Sequence, residues 1–130
     1  ASAVPPRPPH EIAVQALEAL RRRNLIADGA FKEYYSALSD IVRGYLEQRF
    51  RLRAPEMTTE EFLLTTAREA RLHGTHRRLL GEFLTESDLV KFARHLPTIA
   101  DSERAYGAAR RFVDETAPGT APAEDTRAAG

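Results

Sequence analysis

The side chains in this chain that could hold a metal ion or move a proton are four histidines, His10, His73, His76 and His95, and a scatter of carboxylates. A zinc or non-haem iron site needs His and carboxylates at helical i, i+3 or i+4 spacing on one buried face. His73 and His76 come closest, but Gly74 between them marks a helix end, so a solvated turn is expected there. Glu60, Glu61, Glu82, Glu86 and Asp88 lack the Glu-x-x-His partners that diiron bundles use. No metal-ligand set is expected.

Covalent catalysis has no better footing. A nucleophile needs an adjacent base and an oxyanion hole, and the chain has no Cys and no G-x-S-x-G elbow. Ser36 and Ser39 fall inside a helical run, where a hydroxyl returns a hydrogen bond to the preceding turn. Gly29, Gly44, Gly74, Gly81 and Gly107 are isolated and follow no strand, so a phosphate-cradling loop has no support. Gly44 and Gly107 are expected where another helix comes close. The reading is non-enzymatic, with no cofactor.

Binding chemistry offers more. Tyr34, Tyr35 and Tyr45, with Arg43, Arg49, Arg51 and Arg53 near them in sequence, could make a stacking platform for single-stranded nucleic acid. These tyrosines fall on an apolar stripe, however, and the expectation is packing with each hydroxyl at the core edge. The run Arg21-Arg22-Arg23 is expected to be a solvated helix end favoured by the helix dipole, or a lipid-headgroup contact if the native protein is tethered. Nineteen basic residues balance nineteen acidic ones, so no net field names a nucleic acid or an anionic membrane as partner.

The elements that must position these residues read as helices throughout. With 130 residues and 42% hydrophobic content the chain suits one domain with a real core. Ile12, Ala13, Ala16, Leu17 and Leu20 form a first stripe, lost near Arg21 to Arg23 and Gly29. Phe31, Tyr34, Tyr35, Leu38, Ile41, Val42, Tyr45, Leu46 and Phe50 keep helical spacing and define a long central helix. Pro55 stops it, and Thr58 with Glu61 makes a capping box for a third helix through Phe62, Leu63, Ala67 and Ala70, ended by Gly74. Leu79, Leu80, Phe83 and Leu84 mark a fourth segment. Thr85 with Asp88 then resembles a box that starts a short helix carrying Leu89, Val90, Phe92 and Ala93. Thr98 with Asp101 opens the last helix, with Ala105, Tyr106, Ala109, Phe112 and Val113.

No segment alternates with period two and no internal repeat is evident. The expected fold is all-α, a single compact domain of five or six helices around the central amphipathic helix. Its span is 10–117, after a Pro-rich linker at 1–9 and before a tail at 118–130, both expected to be disordered. No apolar run approaches the roughly 20 residues needed to cross a bilayer.

Taken in order, the segments PPHEIAVQALEALRRRNLI, KEYYSALSDIVRGYLEQRF, APEMTTEEFL and SDLVKFARHLPT resemble the cytoplasmic helical domain of bacterial Bat (aerotolerance) operon proteins. The likeness is to the C-terminal region of BatD-like proteins and to a related family of short single-span membrane proteins. It implies a domain following a transmembrane anchor on the cytoplasmic side of the inner membrane. It also implies partners among MoxR-type AAA+ ATPases and von Willebrand factor A domain proteins. The Pro-rich start would then be the juxtamembrane linker.

The family has no established catalytic residues to carry over. Matching positions that could form a shared surface are Tyr34, Tyr35, Arg43 and Tyr45 in the central helix, Glu56, Thr58 and Glu61 at the turn, and Asp88, Lys91 and Phe92 later. The interaction surface expected from them is Arg43, Glu56, Asp88 and Lys91, with Thr58, Glu61, Thr85 and Thr98 as caps. Arg43 and Lys91 have no evident local duty. The leading expectation is an accessory interaction domain of a membrane-anchored protein; the rival from another class is a nucleic-acid-associated helical domain using the Arg-rich central region.

Overall fold

The apolar stripe from Phe31 to Phe50 folds as expected into one uninterrupted helix, and the other elements assemble around it. The computed structural model describes residues 7–52 and 57–119. Pro55 and Glu56 therefore lie outside the described residues, as do 1–6 of the expected linker and 120–130 of the expected tail. Five helices form among the described residues: α1 (Pro9–Arg22), α2 (Phe31–Phe50), α3 (Thr59–Thr66), α4 (Gly74–Phe92) and α5 (Ile99–Thr116). The fold is all-α, and no strand occurs among the described residues.

Helical period decides what is inside. Ala13, Leu17 and Leu20 of α1, Tyr35, Leu38, Val42 and Leu46 of α2, Phe62 of α3, Leu80 and Leu84 of α4, and Phe112 and Val113 of α5 join one core. Each fully buried Leu, Val or Phe side chain among them stabilises by about 1.5–3 kcal/mol relative to exposure. α2 packs against α1, α4 and α5, while α3 packs on α4. At that last contact a Cβ on Gly81 would meet the Leu63 side chain at 3.6 Å, an ordinary van der Waals approach.

Chain ends of the helices are closed by specific groups. Thr58 Oγ1 accepts the Glu61 N–H at 3.1 Å, and Glu61 Oε1 accepts the Thr58 N–H at 2.9 Å. Thr98 and Asp101 exchange the same pair of bonds, both at 2.9 Å. Each box satisfies amides that a helix start leaves orphaned. α5 has no basic residue in its last turn; Arg49 of α2 supplies the missing donor, its Nε reaching the Thr116 carbonyl at 3.1 Å.

Three boundaries differ from the sequence reading. α3 stops at Thr66, short of Ala70, where Thr65 and Thr66 turn their hydroxyls back onto the carbonyls of Glu61 and Leu63. Beyond it Glu69 captures the Arg71 backbone N–H at 3.0 Å, which a continuing helix would have sent to Ala67. Gly74 begins α4 where it was expected to end α3, with His73 in extended conformation as the N-terminal cap residue.

The third difference is Thr85. It lies in the interior of α4, which runs through it unbroken, so Thr85 caps nothing and no sixth helix begins there. Amides in a helix interior already have their i−4 carbonyls, leaving no orphan donor for a threonine to satisfy. The buried set Leu80, Phe83, Leu84, Ser87 and Val90 keeps a single helical stripe across the supposed break. Leu89 and Phe92, expected among the apolar contacts of a short helix, are exposed.

Candidate functional site

On α2, Asp40 and Gly44 lie on the side opposite the buried stripe, with Arg43 at its flank. On α4, Asp88, Lys91 and Phe92 share a face by the same i, i+3, i+4 spacing. The two triplets line one open cleft, closed at one end by Met57, Thr58 and Thr59 at the start of α3, with a volume of about 530 Å³. The fold thus brings together Arg43, Asp88, Lys91 and the cap Thr58, which sequence spacing alone leaves unconnected. Glu56, the fourth residue of the expected surface, lies outside the described residues.

Arg43 and Lys91 both have local duties, contrary to expectation. Arg43 Nη1 donates to the Met57 carbonyl at 2.6 Å and Nη2 to Thr59 Oγ1 at 2.9 Å. Its guanidinium also lies 5.6 Å from the Phe62 ring centroid. Arg43 therefore fastens the entry of α3 to α2, a task suited to its forked planar donors. Lys91 Nζ donates to Ser39 Oγ at 3.3 Å, linking α4 to α2, and sits 5.1 Å from the Phe92 ring centroid.

The acids of the cleft behave differently. Neither the Asp40 nor the Asp88 carboxylate forms a hydrogen bond or ion pair with another described residue, and Asp88 has no helix start to cap. Phe92 stands 74% exposed at the rim. Thr58 Oγ1 accepts the Glu61 amide, and Thr59 Oγ1 accepts Arg43 Nη2.

Gly44 gives a second mark on the same cleft. A Cβ built there meets nothing within 4 Å, and the same holds for Gly107 of α5. Close helix approach, the expected reason for both, is not what they provide; that approach occurs at Gly81. Gly in a helix interior costs about 0.8–1.0 kcal/mol relative to Ala, and no described residue packs where a Cβ at Gly44 would stand.

The other sequence candidates resolve into structural work. Tyr34, Tyr35, Tyr45 and Tyr106 are all buried, so none offers a base-stacking face. Tyr35 Oη donates to Glu86 Oε2 at 3.1 Å, and Tyr45 Oη lies 2.7 Å from Thr116 Oγ1. Burial, then the Glu103 carboxylate, pushes the Tyr34 hydroxyl up to about 12. Arg21 bonds Glu103 at 2.8 Å and lies over the Tyr106 ring, while Arg23 bonds Glu33. His76 Nε2 lies 2.9 Å from Glu115 Oε1, and its ring meets Phe112 edge-on. Among the described residues no three His, Cys, Asp or Glu converge as metal ligands.

A signal for the cleft was present in the sequence and was missed. Its walls carry related six-residue runs, Ser39-Asp40-Ile41-Val42-Arg43-Gly44 and Ser87-Asp88-Leu89-Val90-Lys91-Phe92, which share the Ser, Asp and Val and keep an aliphatic and a basic residue at the third and fifth positions. In both runs the Ser and the Val are buried. The run is too short to register as a repeat in a linear reading, but helical geometry sends its Asp and its cation outward in the same way on both helices.

No family model, curated protein or solved structure matches this chain. No helix among the described residues is long and apolar enough to cross a membrane.

Proposed function

We propose that this chain is a non-enzymatic interaction domain of a membrane-anchored bacterial protein, acting on the cytoplasmic side with a MoxR-type AAA+ ATPase and von Willebrand factor A domain proteins. The choice of partners rests on the resemblance of its four ordered segments to the Bat operon helical domain. The observation that carries the interaction reading is the α2–α3–α4 cleft, whose carboxylates have no partner among the described residues and whose rim exposes Phe92. Protein-binding surfaces characteristically expose such an aromatic anchor beside polar groups.

The test uses purified components. The domain, labelled at a position away from the cleft, is titrated with a MoxR-type AAA+ ATPase and a von Willebrand factor A domain protein from the same bacterium. Saturable binding to either, weakened by Phe92→Ser, is the expected result. Binding to neither, in the presence of nucleotide and with the full-length protein, overturns the choice of partners.

A further inference from the structure

We infer that the corner between α4 and α5, residues 89–100, binds the surface of an anionic phospholipid bilayer, with Leu96 and Ile99 entering the acyl boundary and Arg94 against the headgroups. The inference is independent of the interaction reading above, because Arg94, Leu96 and Ile99 lie outside the α2–α3–α4 cleft. Its first support is apolar exposure. Phe92, Leu96 and Ile99 are 74%, 84% and 62% exposed, three large side chains bared within one short run of chain. Apolar residues gathered in this way mark a contact site.

The second support is charge. From 89 to 100 the chain carries Lys91, Arg94 and His95 and no acid. Arg94 is exposed and forms no hydrogen bond or ion pair with a described residue. Of the flanking acids, Asp101 accepts the Thr98 amide at 2.9 Å and pairs with Arg104, while Asp88 stands one turn before Lys91 on α4. Lys91, Arg94 and Arg104 outnumber these two acids, so the corner is net basic. Basic side chains interleaved with exposed Phe, Leu and Ile suit an anionic headgroup layer over an apolar interior. A second copy of the same corner would meet it with like charge. The third support is the backbone: the Ala93 and His95 amides both reach the Leu89 carbonyl, at 3.0 and 3.1 Å, and Asp101 holds the Thr98 amide. Amides paired in this way leave water without an unmet donor.

The test is sedimentation of the purified chain with vesicles of phosphatidylglycerol and phosphatidylcholine in equal parts, against vesicles of phosphatidylcholine alone. The chain is expected on the anionic vesicles, less on the neutral ones, and less again when salt rises from about 0.1 M to about 1 M. Leu96→Ser combined with Ile99→Ser lowers the affinity at least roughly tenfold. Arg94 stands in left-handed backbone at φ 58°, a conformation easiest for glycine. Arg94→Gly therefore lowers the affinity roughly fivefold while raising the melting temperature. The chain has no Trp, so Leu96→Trp reports insertion by a blue shift of its emission on anionic vesicles. Ile12→Trp shows none: it lies on α1 about two and a half turns before Arg21, whose bond to Glu103 sets that end of α1 by the start of α5.

No binding to the anionic vesicles, equal binding to both kinds, or an unshifted Leu96→Trp emission overturns the inference. Anionic binding that survives Arg94→Gly and the double serine variant means that another surface meets the lipid, and overturns it too. A concentration-dependent dimer dispersed by the Leu96 and Ile99 changes would place a second copy on the corner, a further refutation. Vesicle binding involves neither the ATPase nor the von Willebrand A protein, so its failure leaves the interaction reading standing, and failure of those partners leaves the lipid contact standing.

Discussion

The two faces of α2 differ in how completely the fold uses them. On the inner face Tyr35, Leu38, Val42, Tyr45, Leu46 and Phe50 are buried, and the hydroxyls of Tyr35 and Tyr45 reach Glu86 and Thr116. On the outer face Asp40 has no partner among the described residues, and Gly44 has open space where a side chain would go. One helix therefore carries both the scaffold and the candidate binding wall. Substitutions on its two sides should act on different observables.

The largest effect is expected on the inner face. Leu46→Ala removes a fully buried side chain and should lower unfolding stability by about 2–5 kcal/mol in chemical denaturation. Asp40→Asn, on the other side of the same helix, should stay within about 0.5 kcal/mol of the wild type. A comparable loss from both would remove the distinction between the faces.

Tyr45→Phe sharpens the inner side. It deletes a hydroxyl bonded to Thr116 Oγ1 at 2.7 Å without changing the ring packing on Phe50 and Phe112. Thr116 keeps its bond to the Phe112 carbonyl, so no donor is stranded, and the expected loss is about 0.5–1.5 kcal/mol. Gly44→Ala tests the outer side with the opposite sign. Since a Cβ there meets no atom of a described residue within 4 Å, helix propensity alone should act, and stability should rise by about 0.8–1.0 kcal/mol in the same denaturation assay. A destabilised Gly44→Ala would mean that the backbone at this position is already in use within the fold.

Much of the scaffold was legible because helical periodicity is a local, repeating signal. The bounds of the central helix and the capping boxes at Thr58 and Thr98 follow from spacing and from amide chemistry over three residues. The same three-residue pattern at Thr85 misled, because a Thr-x-x-Asp run in a helix interior is indistinguishable in sequence from one at a start. Periodicity across Leu80, Phe83, Leu84 and Ser87 held the decisive information. The site was legible only in pieces. Arg43, Asp88 and Lys91 could be named, but their roles depend on α2 meeting α4, a contact between residues far apart in the chain. Glycine was read in the wrong sense: Gly44 and Gly107 looked like packing notches, and whether a missing Cβ faces a neighbour or empty space is a tertiary fact.

The smallest expected effect concerns the turn that holds α3 over the cleft. Glu69 accepts Arg71 Nε at 2.7 Å and Nη2 at 2.9 Å, as well as the Arg71 amide, and the guanidinium lies 4.9 Å from the ring centroid of Phe50 at the end of α2. Bonding to the Arg71 side chain holds the Glu69 carboxyl down at about 2, against an ordinary value of 4.5. Because the folded value is the lower one, this contribution to stability is fully present above pH 4.5 and is lost as pH falls from there to about 2. Arg71 is half exposed, so solvent screens the pair and its worth is at most about 1 kcal/mol. Glu69→Gln should therefore be slightly less stable at pH 7, lose less stability than the wild type between pH 4.5 and 2, and converge with it at the acid end. Parallel acid-unfolding curves for the two proteins would show that this pair does not hold the turn, leaving the Arg43 bonds to Met57 and Thr59 as what fixes α3 beside the cleft.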